Sequence, residues 1–424
     1  MQFIVPLILI GLFLPQAWLG LILEGEQRDI VVLAFAAVFF QMQVWPTVVQ
    51  IGESQRLTHR VQSVNLGVAA VHCLLVILLW RTNTLSVFNV FALILLEHVI
   101  AAVVGYRLVK IKTVYAETST GIRNILNEYK GYCMPLIPYV WMGFLYEFSD
   151  RWLLQHYGGA IEQAYYGVSV RFSYAALIAT TSMLQIFWKE IADAHEQKNH
   201  ERIAMLYRKI SRILYMITAV VGGFLIPWAS EIVNLVLGPA YIGGTTVLAI
   251  MFLFPLPTTL VQINATVFYA TGQTKAYVTI GMIFMAVSVI ASYFVLAPAT
   301  AVIPGLGMAS AGLALKMVVM ITFQAAMMSW YIARVQGWRL DLAYTLVGLG
   351  VTLACGFFVR QIADWMLAGG LPIFLVAIAV PSAYLGCLAI GLLAMPWLVD
   401  MSRDEIVDSV ASLVGRVFVR FRGT

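Results

Sequence analysis

Residues 85–106 read LSVFNVFALILLEHVIAAVVGY, an apolar run whose only charged side chain is Glu97. Crossing the hydrocarbon of a bilayer takes about 20 mainly apolar residues, so this stretch is a membrane span. With no water to bond its amides, such a span must pair them within itself and is a helix rather than an open strand. Similar runs lie at 3–23, 30–51, 64–80, 133–157, 165–188, 213–229, 245–270, 276–297, 305–333, 342–360 and 371–399. Twelve crossings are therefore expected, in an all-α integral membrane protein. The composition agrees, with 61% of the 424 residues hydrophobic and 11% charged, against roughly 45–50% and about 25% in soluble domains. A soluble multi-domain enzyme is excluded, and nothing in the charge pattern supports nucleic-acid binding.

The cysteines, Cys73, Cys133, Cys355 and Cys387, lie in or at the start of apolar runs without CxxC spacing. No disulfide framework, metal site or cofactor is expected. The run 3–23 has no basic residue before it and no small-residue cleavage site before Glu24, which makes it a retained helix rather than a signal peptide. The abrupt opening suggests a late start to the chain.

Basic residues on cytoplasmic loops set orientation. On the expected span list Arg28, Arg81, Arg151 and Arg360 fall on one side, Arg171 and Lys316 fall within spans, and the other twenty of the 26 Lys and Arg fall on the opposite side. Both termini are expected in the cytoplasm. In the tail, Ser402-Arg403-Asp404-Glu405 has the S-x-x-E capping-box pattern, and Ile406, Val410, Leu413, Val414 and Val417 recur at helical spacing. The segment 401–424 is read as an amphipathic helix lying on the inner membrane surface. The alternative is a solvated helix packed on a loop. The stretch from Lys189 to Arg212 reads as an amphipathic cytoplasmic connector.

Ionisable groups near the bilayer centre cost about 2.5–3.5 kcal/mol each on insertion scales, so each needs a partner or a wet cavity. Glu147 and Arg171 come out at similar depths, about 9 Å below the outer ends of their helices; Glu147 and Arg151 are also i,i+4 neighbours. Tyr174, Thr181 and Gln185 follow Arg171 at spacings that draw one polar stripe along a helix, which suits either cavity lining or a buried pair with Glu147 or Asp150. Lys316 lies mid-span after the small residues Gly305, Gly307, Ala309, Ser310, Ala311 and Gly312, and a cavity-lining role is expected for it. His72 and Glu97 fall at comparable depths on consecutive antiparallel helices, as a proton-carrying pair or a mutually satisfied one. Candidate substrate-binding residues are Arg171, Lys316, Tyr174, Gln185 and Arg151; coupling or ion-pair candidates are Glu147, Asp150, Glu97 and His72. No phosphate loop, H-E-x-x-H or G-x-S-x-G occurs, so no catalytic site is expected.

Several stretches also carry a resemblance. Glu147-Phe148-Ser149-Asp150-Arg151-Trp152-Leu153-Leu154, then Gly158-Gly159 and Tyr165-Tyr166-Gly167 leading into Arg171, resembles the start of the second lobe in Wzx-like polysaccharide repeat-unit flippases of the MOP superfamily. Leu237-Gly238-Pro239-Ala240-Tyr241, Ala270-Thr271-Gly272-Gln273-Thr274-Lys275 and Gly305-Leu306-Gly307-Met308-Ala309-Ser310-Ala311 are similar to its recurrent loops. The resemblance spans about residues 130–335. It implies a MATE-like fold of two six-helix lobes around a cavity, often with two further helices. On that alignment 1–130 is a shortened first lobe lacking the first two helices, 131–335 the second lobe and 336–400 the added pair. It further implies transport, without catalysis, of undecaprenyl-pyrophosphate-linked oligosaccharide across the bacterial inner membrane, with membrane lipid and polysaccharide polymerase machinery as partners. The rivals are a cation-coupled multidrug exporter of the same superfamily, whose cavity should carry acids, and a membrane-embedded polymerase or glycosyltransferase, for which the outward loops are short.

The orientation is testable. Cysteines placed at Gln197 and Gly243 should label from opposite faces, and modification of Gln197→Cys by a reagent confined to the periplasm would reverse the assigned topology.

Overall fold

The computed structural model describes residues 27–54, 57–109, 137–338 and 341–407, with single positions at 15, 124, 127, 130 and 134. The expected span 3–23, Pro15 apart, and the tail beyond Val407 lie outside the described residues. Two compact units divide the chain, Met1–Gly121 and Ile122–Thr424.

In the first unit α1 runs through Arg28–Phe39, a π-helical turn Phe40–Val44, and Trp45–Ser54. The turn has a local cause. Pro46 lacks the amide that would continue the ladder, and the helix widens just before it, with the Trp45 N–H donating to the Phe40 carbonyl. Helix α2 (Thr58–Arg81) turns through Asn83, at φ 56°, into α3 (Val87–Val109). The Ser86 hydroxyl accepts from the Asn89 N–H to cap α3. Trp45, Val48, Val61 and Ala101 form the core of this unit, and the Trp45 indole N–H donates to Asn65 Oδ1 at 3.2 Å.

The second unit begins with α4, Ile137–Ala175, in which Gly159 at φ 78° and ψ 180° is non-helical and separates two arms. Then come α5 (Ile178–Glu196), α6 (His200–Leu225), the short α7 (Thr245–Met251), α8 (Pro255–Ala270), α9 (Thr274–Leu296), α10 (Ala309–Gln336), α11 (Ala343–Ala368) and α12 (Ile373–Ala394). One buried cluster joins α5, α6, α8 and α10 through Phe187, Ile191, Leu214, Ile263, Phe268 and Met328. A second joins α4, α7, α9 and α10 through Leu154, Met251, Leu296 and Leu313. Helix α11 lies against α6 with their backbones almost touching. A Cβ on Gly356 would stand 2.0 Å from the Gly223 carbonyl oxygen, the small-residue contact by which helices associate where lipid competes for apolar surface.

Eight described helices, α1–α3, α6 and α9–α12, are long and apolar enough to cross a membrane; the pair Pro239–Met251 and Pro255–Ala270, bent by 41°, makes nine if it is one span. The fold is all-α, as expected, and several boundaries differ. The expected span 165–188 is broken, because the helix ends at Ala175 and restarts at Ile178. The stripe from Arg171 to Gln185 therefore does not run along one helix. The stretch 189–212 is not a loop but two helices joined by a turn, with the Asn199 side chain accepting from the Arg202 N–H and Ile203 fully buried. The capping box is formed: the Ser402 N–H donates to Glu405 Oε2 at 2.8 Å and the Glu405 N–H to Ser402 Oγ. That backbone bond, with Lys209 nearby, holds the Glu405 carboxyl below the usual range. Ile406, one turn on, is buried in the core of the second unit.

The break in α4 needs glycine, since its φ and ψ fall in a region that side chains strain to enter. No atom crowds a Cβ there, so the cost is purely backbone. Gly159→Ala should lower stability by about 1–3 kcal/mol. Gly143→Ala, in open space within the first arm, should be neutral or stabilise by about 0.5–1 kcal/mol. Thermal unfolding of the purified variants compares the two.

Candidate functional site

The polar centre of the second unit is an ion pair where α4, α9 and α10 meet. Lys316 Nζ lies 2.7 Å from Asp150 Oδ2 and 3.0 Å from Oδ1, and donates to Ser288 Oγ at 3.0 Å. Ser292 donates to the same carboxylate, and the Tyr146 ring centroid stands 5.2 Å from the ammonium. Lys316 and Asp150 are 5% and 4% exposed. Two charges are thus removed from solvent together, each bonded by the other and by hydroxyls, which offsets the desolvation that would otherwise exclude them.

Beyond Gly159 the second arm of α4 makes another tie to α10. Glu162 Oε2 accepts from the Ser310 N–H at 3.1 Å and from its hydroxyl, placing a carboxylate at the positive end of the α10 dipole. The two arms are therefore each fastened to α10, on opposite sides of the break.

The arginines stand differently. Arg151 and Arg171 are exposed on α4, and neither has a carboxylate within ion-pair distance among the described residues. Arg151 lies over the Tyr166 ring at 5.2 Å. Tyr174 is 51% exposed with its ring edge to Phe254. Glu147 is exposed and pairs with neither Arg151 nor Arg171, contrary to both expected pairings. The side chain of Gln185 lies outside the described residues.

In the first unit the structure brings His72 and Glu97 together, Nδ1 to Oε2 at 2.8 Å. Neighbouring His98 is buried and bonds the Ile94 carbonyl through Nδ1.

The sequence reading passed over Ser288 and Ser292. Their i,i+4 spacing on an apolar helix was the available signal. It also passed over Glu162 and two buried networks. In one, the Tyr207 hydroxyl donates to Asn264 Oδ1 at 2.7 Å and the Asn264 amide donates to Ser329 at 3.0 Å. In the other, Arg212 bonds Asp341 and the Trp397 carbonyl, with Asp400 at 3.5 Å. A cavity of about 250 Å³ lies between these networks, lined by Tyr207, Ser211, Arg212, Trp338, Asp341 and Tyr344.

The family model for lipid II flippase MurJ matches residues 76–380. The chain belongs to the MurJ family. Among solved structures, lipid II flippase MurJ in an inward closed conformation is similar with a TM-score of 0.68 and 12% identity, covering 92% of this chain and 81% of that one. An inward-facing MATE-family multidrug resistance transporter gives 0.64 and 14%, covering 79% of each. A MOP superfamily transporter from Pyrococcus furiosus gives 0.58 and 13%, covering 79% and 75%. No curated protein sequence matches the chain. This MurJ-family chain is thus a multi-pass membrane transporter of the MOP superfamily.

Removing one partner of the buried pair strands the other charge. Lys316→Met should cost about 3–5 kcal/mol, and adding Asp150→Leu should recover most of it. The folded fraction recovered from membranes reads both. Equal stability of the single variant and the wild type would mean that Asp150 is solvated in the membrane.

Proposed function

We propose that the chain moves an undecaprenyl-pyrophosphate-linked saccharide from the inner to the outer leaflet of the bacterial plasma membrane, with both termini cytoplasmic. The observation that carries this reading is the MurJ family match over residues 76–380, because the lipid-linked precursors of such flippases present a pyrophosphate and a polar glycan that hydrocarbon excludes. The saccharide proposed is a surface-polysaccharide repeat unit, on the loop motifs between Glu147 and Ala311. Polymerase machinery would then consume the product.

Within the site, anion binding falls to the free guanidinium groups. Lys316 is neutralised by Asp150 at 2.7 Å and acts through that pair, as the tie that holds α4, α9 and α10 together. Arg151 and Arg171 keep their charge available, and guanidinium suits phosphate because its fork grips two oxygens at once. Tyr174 and Gln185 flank this surface in sequence and would meet the sugar. The fold likeness to MATE transporters keeps one rival: a cation-coupled exporter would bind through acids, of which Glu147 is the exposed one on α4.

In proteoliposomes carrying fluorescent lipid-linked saccharides, the wild type should move the repeat unit between leaflets. Arg171→Ala and Arg151→Ala should each slow it about ten- to a hundredfold, the loss of a hydrogen bond to a charged group worth about 1.5–3 kcal/mol. Arg171→Lys should recover part. Movement of lipid II alone would shift the substrate to the peptidoglycan precursor. Efflux of a cationic dye, lost in Glu147→Gln and with neither lipid moved, would favour the exporter.

A further inference from the structure

His72 and Glu97 face each other on α2 and α3, each at least about 13 Å from either end of its helix at about 1.5 Å per residue. The imidazole Nδ1 meets Glu97 Oε2 at 2.8 Å, while Oε1 is buried and has no hydrogen-bond partner among the described residues. The Glu97 side chain is 6% exposed and that of His72 36%. One member of the pair is therefore buried and the other is partly exposed.

The described surroundings offer no countercharge. On α2 the next ionisable group is the exposed Cys73 thiol. On α3 it is His98, whose Nδ1 is engaged by the Ile94 carbonyl. Helix α1, which packs on α3, has no ionisable side chain between Asp29 and Glu53. No Lys or Arg lies within ion-pair distance of Glu97 among the described residues.

A carboxylate has about four lone-pair positions, and here a single ring nitrogen meets them among the described residues. With Nδ1–H donating to an ionised Glu97 the pair carries one negative charge, and the imidazole Nε2 holds a lone pair. One proton taken up at Nε2 gives a neutral pair, with the positive ring held against the carboxylate. The alternative arrangement, neutral imidazole and protonated acid, contains the same single proton. Neutrality is what a low-dielectric surrounding favours.

We propose that the His72–Glu97 pair is a proton-binding site, entered through the partly exposed His72 imidazole, and that the ion coupled to transport in this chain is a proton. The coupling half rests on the transport reading above; the binding half does not.

Binding is read on the protein alone. Infrared difference spectra of the full chain in lipid, taken as the pH is lowered, should show a carboxyl or imidazole protonation change that Glu97→Gln removes. Should that variant not fold, His72→Gln, which keeps the carboxyl and removes the ring, must move the pH midpoint of the change. A wild-type spectrum in which neither variant alters anything overturns the site. Coupling is read in proteoliposomes with a pH-sensitive dye inside. A gradient of about one pH unit should shift the transbilayer distribution of the lipid-linked saccharide about tenfold if one proton moves per substrate. In Glu97→Gln downhill equilibration should continue while the gradient-driven part is lost, a split that a merely structural lesion would not produce. A wild type that moves substrate with no proton flux, or a Glu97→Gln protein that responds to the gradient as the wild type does, overturns coupling. Movement of neither lipid by the wild type, with the infrared change present, overturns the transport reading and leaves the proton site standing.

Discussion

The second unit depends on one buried charge pair. Lys316 and Asp150 come from α10 and α4, far apart in sequence, and neither can enter an apolar interior alone at a cost the fold could carry. Their meeting at 2.7 Å fixes the depth of α4 against α10, and the hydroxyls of Ser288 and Ser292 on α9 complete the set of partners. Glu162 repeats the arrangement beyond Gly159, at the start of α10. A helix pinned to one neighbour on both sides of a glycine break has its two arms placed independently, so the break is held in position rather than left free.

That pairing divides the cationic side chains by task. Lys316 is consumed by structure. Arg151 and Arg171 lie on the same helix, exposed and without carboxylates within ion-pair distance among the described residues, which is why the proposed anion binding is given to them. Arg212 shows the opposite treatment of a guanidinium: buried, bonded to Asp341 and the Trp397 carbonyl, and set over the Tyr344 ring, it fastens α6 to the start of α11 and to the segment that follows α12.

The first unit solves a smaller problem. Its three described helices enclose little, and α2 leaves Leu66, Leu74 and Leu78 more than half exposed, apolar surface that suits lipid. Within it Glu97 is buried and His72 is partly exposed, and the imidazole is the polar partner of the carboxylate among the described residues.

Some of this was legible in the chain itself. Apolar runs of membrane length made the protein helical and multi-spanning, because backbone amides in lipid have no other partners. The S-x-x-E pattern at Ser402 specified its own cap, since both partners are local. Depth counting also put His72 and Glu97 at one level, as antiparallel neighbours joined by a short turn must be. The Lys316 partner was not legible. Asp150 is 166 residues away, as Ser310 is 148 from Glu162, and nothing in the spacing says which of Arg171, Lys316 or Arg151 would claim the acid. The end of a helix at Ala175 and its restart at Ile178 were equally hidden, because the residues there are ordinary helix formers. Local chemistry determined the class of the protein and the ends of several helices; only the packed structure, by bringing distant helices to one depth, decided which charges cancel and which remain to act.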